Sequence, residues 1–133
     1  MAGRILIIDD DIYIRDLYEE ILKGDGFDID VAKDGEEGLA LILKGGYAAV
    51  LMDVMMPKLD GIGVLTKLKE TAPQQPNGPI LLITNLDHDP LLDQAKTLGA
   101  FTHLVKADML PPMIVTAVHD AITSFNGHSP PVR

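Results

Sequence analysis

Five short apolar runs, each followed by apolar residues at helical spacing, constrain this chain more than any other feature. The first run, residues 4–9, stops at Asp9-Asp10-Asp11, as a strand does on leaving a sheet buried on both faces. Behind it Ile14, Leu17, Tyr18, Ile21 and Leu22 recur at helical intervals until Gly24-Asp25-Gly26 supplies a stop. Phe27, Ile29 and Val31 then alternate with Asp28 and Asp30, which predicts a strand partly open to water at a sheet edge. A second helix opens at Asp34, with Glu37 at capping-box spacing, and ends at Gly45-Gly46.

Three more runs, at residues 47–53, 79–84 and 101–105, each precede a helix. The third helix starts near Asp60 and carries Val64, Leu65 and Leu68. The fourth starts at Asp89-Pro90, a cap followed by a first-turn proline, and closes at Gly99. The fifth, opened by Pro111-Pro112, carries Ile114, Ala117, Val118, Ala121, Ile122 and Phe125 and is predicted to dock firmly. This alternation argues for an α/β fold: a parallel sheet covered on both faces, with right-handed crossovers. A domain over residues 4–125 is expected, followed by a mobile tail at 126–133, where no packing pattern remains.

A length of 133 residues suits one domain, and 47% hydrophobic residues suffice for its core. The absence of cysteine excludes disulfides, zinc-thiolate sites and thiol catalysis, and fits a reducing cytoplasm. The stretch Ile5 to Ile8 is too short for a signal-peptide core or a membrane span, so no membrane insertion is expected. A net charge of −9 disfavours nucleic acid as a direct partner, because binding the phosphate backbone needs a basic surface.

In open α/β sheets ligands bind at the carboxyl ends of strands where the winding reverses, which in the order 2-1-3-4-5 lies between strands one and three. Asp9 and Asp10 end the first strand and Asp53 ends the third, so three carboxylates converge. Clustered carboxylates repel unless a cation sits among them, and Mg²⁺ (or Mn²⁺) suits all-oxygen ligands. An aspartate there can also attack phosphorus to form an acyl phosphate. Thr84 and Lys106 end the fourth and fifth strands, and their hydroxyl and ammonium suit the oxygens of a phosphoryl group.

The segment Val50-Leu-Met-Asp-Val-Met-Met-Pro-Lys-Leu-Asp-Gly61, taken with the acidic pair, Thr84 and Lys106, resembles the receiver domain of two-component response regulators. The single-domain chemotaxis type is included in that likeness, which covers residues 4–125. The resemblance implies a flavodoxin-like, doubly wound, five-stranded sheet with five helices. It implies that Asp53 takes a phosphoryl group from a sensor histidine kinase or phosphotransfer protein. Asp10 would ligate Mg²⁺, Asp9 would act partly through water, and the backbone carbonyl of Met55 would be a further ligand. Lys106 would contact the phosphoryl group, and Thr84 would swing towards it and switch the face formed by the fourth helix, fifth strand and fifth helix. Output through that face to a downstream protein target, or through a homodimer, follows from the same likeness. So does the absence of any enzymatic activity beyond the protein's own phosphorylation and dephosphorylation.

Three residues depart from the family pattern. Asn85 stands where a small residue is usual and is expected to narrow the approach to Asp53. Ala107 replaces a proline, which disfavours a cis bond by roughly 2.5–4 kcal/mol and predicts another path for the Lys106 loop. His103 replaces the aromatic partner of the threonine switch and suggests a pH-sensitive rotamer. Asp11 reads as a helix cap; His88, His119 and His128 read as surface residues; Met52, Met55, Met56, Met109 and Met113 read as packing or surface-softening residues.

Competing readings fit less well. An aspartyl-nucleophile phosphatase or phosphotransferase of the haloacid-dehalogenase kind places a second acid two residues after the nucleophile, where this chain has Met55. A flavin-binding module would need a Ser/Thr/Gly-rich phosphate loop after the first strand. A non-phosphorylated pseudo-receiver usually lacks one of the acids. With the chain ending soon after the fifth helix, output is expected through protein contacts.

Overall fold

A computed structural model of the chain describes residues 3–85 and 90–127. Its strands are β1 (Arg4–Ile8), β2 (Asp28–Ala32), β3 (Ala49–Asp53), β4 (Ile80–Thr84) and β5 (Thr102–Val105), and its α-helices are α1 (Ile12–Gly24), α2 (Gly35–Lys44), α3 (Gly61–Glu70), α4 (Pro90–Thr97) and α5 (Pro111–Gly127). All four strand pairings are parallel, and the order is β2-β1-β3-β4-β5. The expected α/β architecture and strand order are those observed.

Side chains alternate across the sheet, so each central strand feeds two cores. Leu6, Ile8, Val50, Met52 and Leu82 pack on one face with Ile42, Val64, Leu65, Leu92 and Ala95 from α2, α3 and α4. On the other face Ile5, Ile7, Leu51, Leu81 and Ile83 meet Tyr18 and Leu22 of α1 and Ile114, Val118 and Ala121 of α5. Burial on both faces explains why β1, β3 and β4 read as unbroken apolar runs. The Ile8 side chain packs so closely on α2 that a Cβ on Gly38 would sit 2.6 Å from its Cδ1.

Helix starts follow the caps read from the sequence. Asp11 accepts from the N–H groups of Tyr13 and Ile14, Asp34 from Glu37, and Asp60 from Gly63. Glu37 reaches back to the N–H of Lys33 rather than to that of Asp34, one residue earlier than a capping box requires. Pro111 opens α5 as expected. Asp89, the expected cap of α4, lies outside the described residues, as do His88 and His128; of the tail expected at 126–133, Asn126 and Gly127 instead belong to α5 and residues 128–133 lie outside the described residues.

β2 is the edge strand partly open to water that the alternation predicts, with Asp28 and Val31 exposed and Asp30 half-buried, where its Oδ2 accepts from the Tyr47 hydroxyl at 2.8 Å. Two local expectations are corrected. Phe125, expected to dock α5, is exposed and meets Phe101 edge-to-face near the open edge of the sheet. The strands also begin or end a residue or two inside the expected limits. Tyr47, for example, gives its N–H to the Asn77 side chain instead of to a neighbouring strand.

Candidate functional site

The register of β1 on β3 pairs Ile8 with Met52, so the next residue of each strand, Asp9 and Asp53, emerges side by side at the carboxyl edge. Both carboxylates are buried, while Asp10 is exposed. Asp9, Asp10 and Asp53 can each offer an oxygen within 4.8 Å of the others. β5 ends one residue before Lys106, whose ammonium lies 3.1 Å from Asp53 Oδ2 and 3.3 Å from Asp9 Oδ2. Thr84 ends β4 and is buried beside this edge.

Backbone donors hold the remaining carboxylate oxygens. Asp11 N–H donates to Asp9 Oδ1 at 2.9 Å, and Met55 N–H donates to Asp53 Oδ1 at 3.2 Å. The β3–α3 loop that carries Met55 is pinned where Gly61 N–H donates to the Val54 carbonyl at 2.8 Å. A Cβ on Gly61 would come within 3.1 Å of the Asp53 carbonyl, so the loop folds back tightly against the strand end. The Met55 side chain points to solvent.

Burial raises the Asp9 carboxyl to about 6; the Asp11 N–H works against that rise and the nearby Asp53 charge adds to it. Burial acts to lower the Lys106 ammonium, but the hydrogen bond and charge of Asp53, with Asp9, outweigh it and the net shift is upward. Asp9 Oδ2 is buried, and Lys106 Nζ approaches it at an ion-pair distance of 3.3 Å. A buried oxygen of this kind, facing two more carboxylates, fits a hard divalent cation such as Mg²⁺.

The other singled-out residues are placed as follows. His103 pairs with Leu82, so it shares a face with Leu82 and, one step further, with Thr84. Asn85 is exposed at the end of β4. Ala107 lies in a 3₁₀ turn over Lys106–Asp108 that carries the chain away from β5. His119 is a surface residue, yet its Nε2 lies 2.5 Å from Asp25 Oδ2 and its ring stands 5.3 Å from that of Phe27. Sequence reasoning missed Arg15, whose Nη1 donates to the Asp9 carbonyl at 2.9 Å. Its only signal was a basic residue one helical turn after the acidic cap.

The sequence model of the response regulator receiver domain matches residues 5–119. This chain belongs to the response regulator receiver domain family. The transcriptional regulatory protein SrrA of Staphylococcus aureus is 35% identical over 106 residues, which span 80% of this chain and 42% of that protein. The chain therefore covers less than half the length of this curated relative. Among solved structures, the CheY-like receiver domain of Methanospirillum hungatei superposes with a TM-score of 0.83 at 23% identity, covering 97% of this chain and all of that one (100%). The receiver domain of Francisella response regulator 1452 gives 0.78 at 27% identity over 91% of this chain and 97% of its own. The M. hungatei likeness establishes the shared receiver fold.

Proposed function

We propose that this receiver domain accepts a phosphoryl group on Asp53 from a phosphohistidine of a sensor kinase or phosphotransfer protein, and that Mg²⁺ assists. The observation that carries this reading is the convergence of Asp53 with Asp9, Asp10 and Lys106 at one end of the sheet. In the transfer, an Asp53 carboxylate oxygen bonds to phosphorus. The donor's N–P bond breaks, and its electron pair returns to the imidazole nitrogen. The Lys106 ammonium, which hydrogen-bonds Asp53 Oδ2 at 3.1 Å, would follow the charge onto a phosphoryl oxygen. The Thr84 hydroxyl, at the adjoining strand end, is the second donor for those oxygens.

Asp9, Asp10, Asp53 and the Met55 carbonyl would hold Mg²⁺, which when bound neutralises the negative charge that gathers between carboxylates and phosphoryl group. Movement of Thr84 towards the phosphoryl group would couple the site to β5 through His103 on the same face, altering the α4–β5–α5 surface offered to a downstream protein or to a second copy. Exposed Ile12, Tyr13, Met55, Leu110 and Met113 lie in the segments just beyond the ends of β1, β3 and β5, and offer a donor protein an apolar rim around the acids. Among the described residues no helix is long and apolar enough to cross a membrane. The phosphoprotein is read as cytoplasmic, in keeping with its lack of cysteine.

The test is beryllofluoride with Mg²⁺, followed by amide chemical shifts. Shifts centred on Asp53, Thr84 and Lys106 that vanish in Asp53→Asn are expected. Shifts that persist in Asp53→Asn would move the acceptor elsewhere.

A further inference from the structure

Arg15 lies one turn into α1, four residues after the cap Asp11, and its guanidinium donates to the carbonyl of Asp9. That carbonyl belongs to the peptide joining Asp9 to Asp10, the two acids of the β1–α1 turn. Asp9 is thereby gripped all round. Its N–H donates to the Ala32 carbonyl at 3.1 Å, its Oδ1 accepts from Asp11, its Oδ2 faces Lys106, and Arg15 takes its carbonyl. Among the described residues Arg15 supplies the side-chain hydrogen bond to this peptide, and without it the peptide is freer to rotate and to carry both carboxylates with it.

We propose that Arg15 is a positioning residue for the acid pocket, clamping the Asp9–Asp10 peptide so that both carboxylates are held in one geometry for a divalent cation. The role rests on the metal reading given under Proposed function. Two physical effects of Arg15 have opposite signs, which makes the role decidable. As a charge near an acidic cluster, the guanidinium repels a cation, so its removal should tighten Mg²⁺ binding. As a clamp, it orders the ligands, so its removal should weaken binding, as loss of outer-shell partners of metal ligands does. A charge-assisted hydrogen bond to the carbonyl of a buried residue is strong enough for the second effect to dominate over a screened charge.

The test combines Arg15→Ala and Arg15→Lys with two readouts, and urea midpoints establish that both variants are folded. In metal-free protein, hydrogen exchange of the Asp11 amide, which reports the Asp9 Oδ1 contact, is expected to accelerate about tenfold in Arg15→Ala. By calorimetry, Mg²⁺ affinity is expected to fall about tenfold in the same variant. Arg15→Lys, which keeps the charge and a donor but not the planar fork, should recover part of both. Unchanged Asp11 exchange overturns the clamp, whatever the metal does. Unchanged or tighter Mg²⁺ binding in Arg15→Ala overturns the role towards the cation and leaves only a surface charge. A wild-type protein that takes up no Mg²⁺ would defeat the metal reading itself and with it the role towards the cation.

Discussion

Lys106 Nζ stands 3.3 Å from the buried Oδ2 of Asp9 while hydrogen-bonding Asp53 Oδ2, so a single ammonium separates two carboxylates that would otherwise face each other. Replacing it by an isosteric apolar group leaves both acids without their cation. Lys106→Met is expected to lower the stability of metal-free protein by about 2 kcal/mol, the scale of a lost hydrogen bond to a charged group. Millimolar Mg²⁺ should restore much of that loss. Urea unfolding with chelator and with Mg²⁺ measures both, and equal stability of variant and wild type in chelator would show that the ammonium does not relieve the acids.

Asp9 gives the metal-free protein a pH dependence of definite sign. Its carboxyl is raised from 3.8 to about 6 on folding, mainly by burial, so the folded state binds the proton more tightly than the unfolded state. This group therefore withdraws stability as pH rises from 3.8 to about 6, and its contribution is constant above that range. Asp9→Asn should remove the trend, making the variant more stable than wild type at neutral pH in chelator but no longer stabilised by Mg²⁺. In wild type, Mg²⁺ affinity should increase as pH rises through the same window. A wild-type-minus-variant difference that is flat between pH 4 and 7 would contradict the assignment.

Much of this site was legible in the sequence because the carboxyl edge of a parallel sheet is set by where apolar runs end. Asp9, Asp53, Thr84 and Lys106 each close or follow such a run, and strand order does the rest. Contacts that depend on tertiary approach were not legible. The Arg15 contact depends on how α1 leans on β1, and the His119–Asp25 pair joins residues 94 apart in sequence. The bond from the Tyr47 hydroxyl to Asp30, 17 residues away in sequence, is likewise one that no period-two pattern encodes. The helical period continues through Phe125, yet the residue is exposed near the end of α5, which the period alone does not encode.

Tyr47 offers a spectroscopic check on that edge. Burial first, then the Asp30 hydrogen bond and charge, push its phenol up to about 12. Asp30→Asn should bring this titration down towards the ordinary tyrosine range, and Tyr47→Phe should cost about 1 kcal/mol. Ultraviolet titration of the wild type and Asp30→Asn decides; a Tyr47 that titrates identically in both would show that the carboxylate does not act on it.

Gly38 sets propensity against packing. Alanine is the better helix former by roughly 1 kcal/mol, but its Cβ would meet three side-chain carbons of the fully buried Ile8 at 2.6 to 2.9 Å. Overpacking should win, and Gly38→Ala is expected to destabilise by about 1–2 kcal/mol net. Adding Ile8→Val should cost less in that background than alone, because it removes Cδ1, the nearest carbon. A double-mutant cycle from chemical unfolding measures the coupling, and strict additivity would rule out the clash.

The central claim is that Asp53 carries the phosphoryl group, and the most direct measurement is incubation with radiolabelled acetyl phosphate, with and without Mg²⁺. Wild type should incorporate label in a Mg²⁺-dependent, hydroxylamine-sensitive form, as an acyl phosphate does, and Asp53→Asn should incorporate none. Label retained by Asp53→Asn at the wild-type level, or a wild-type protein that takes up no label in Mg²⁺, would contradict the account.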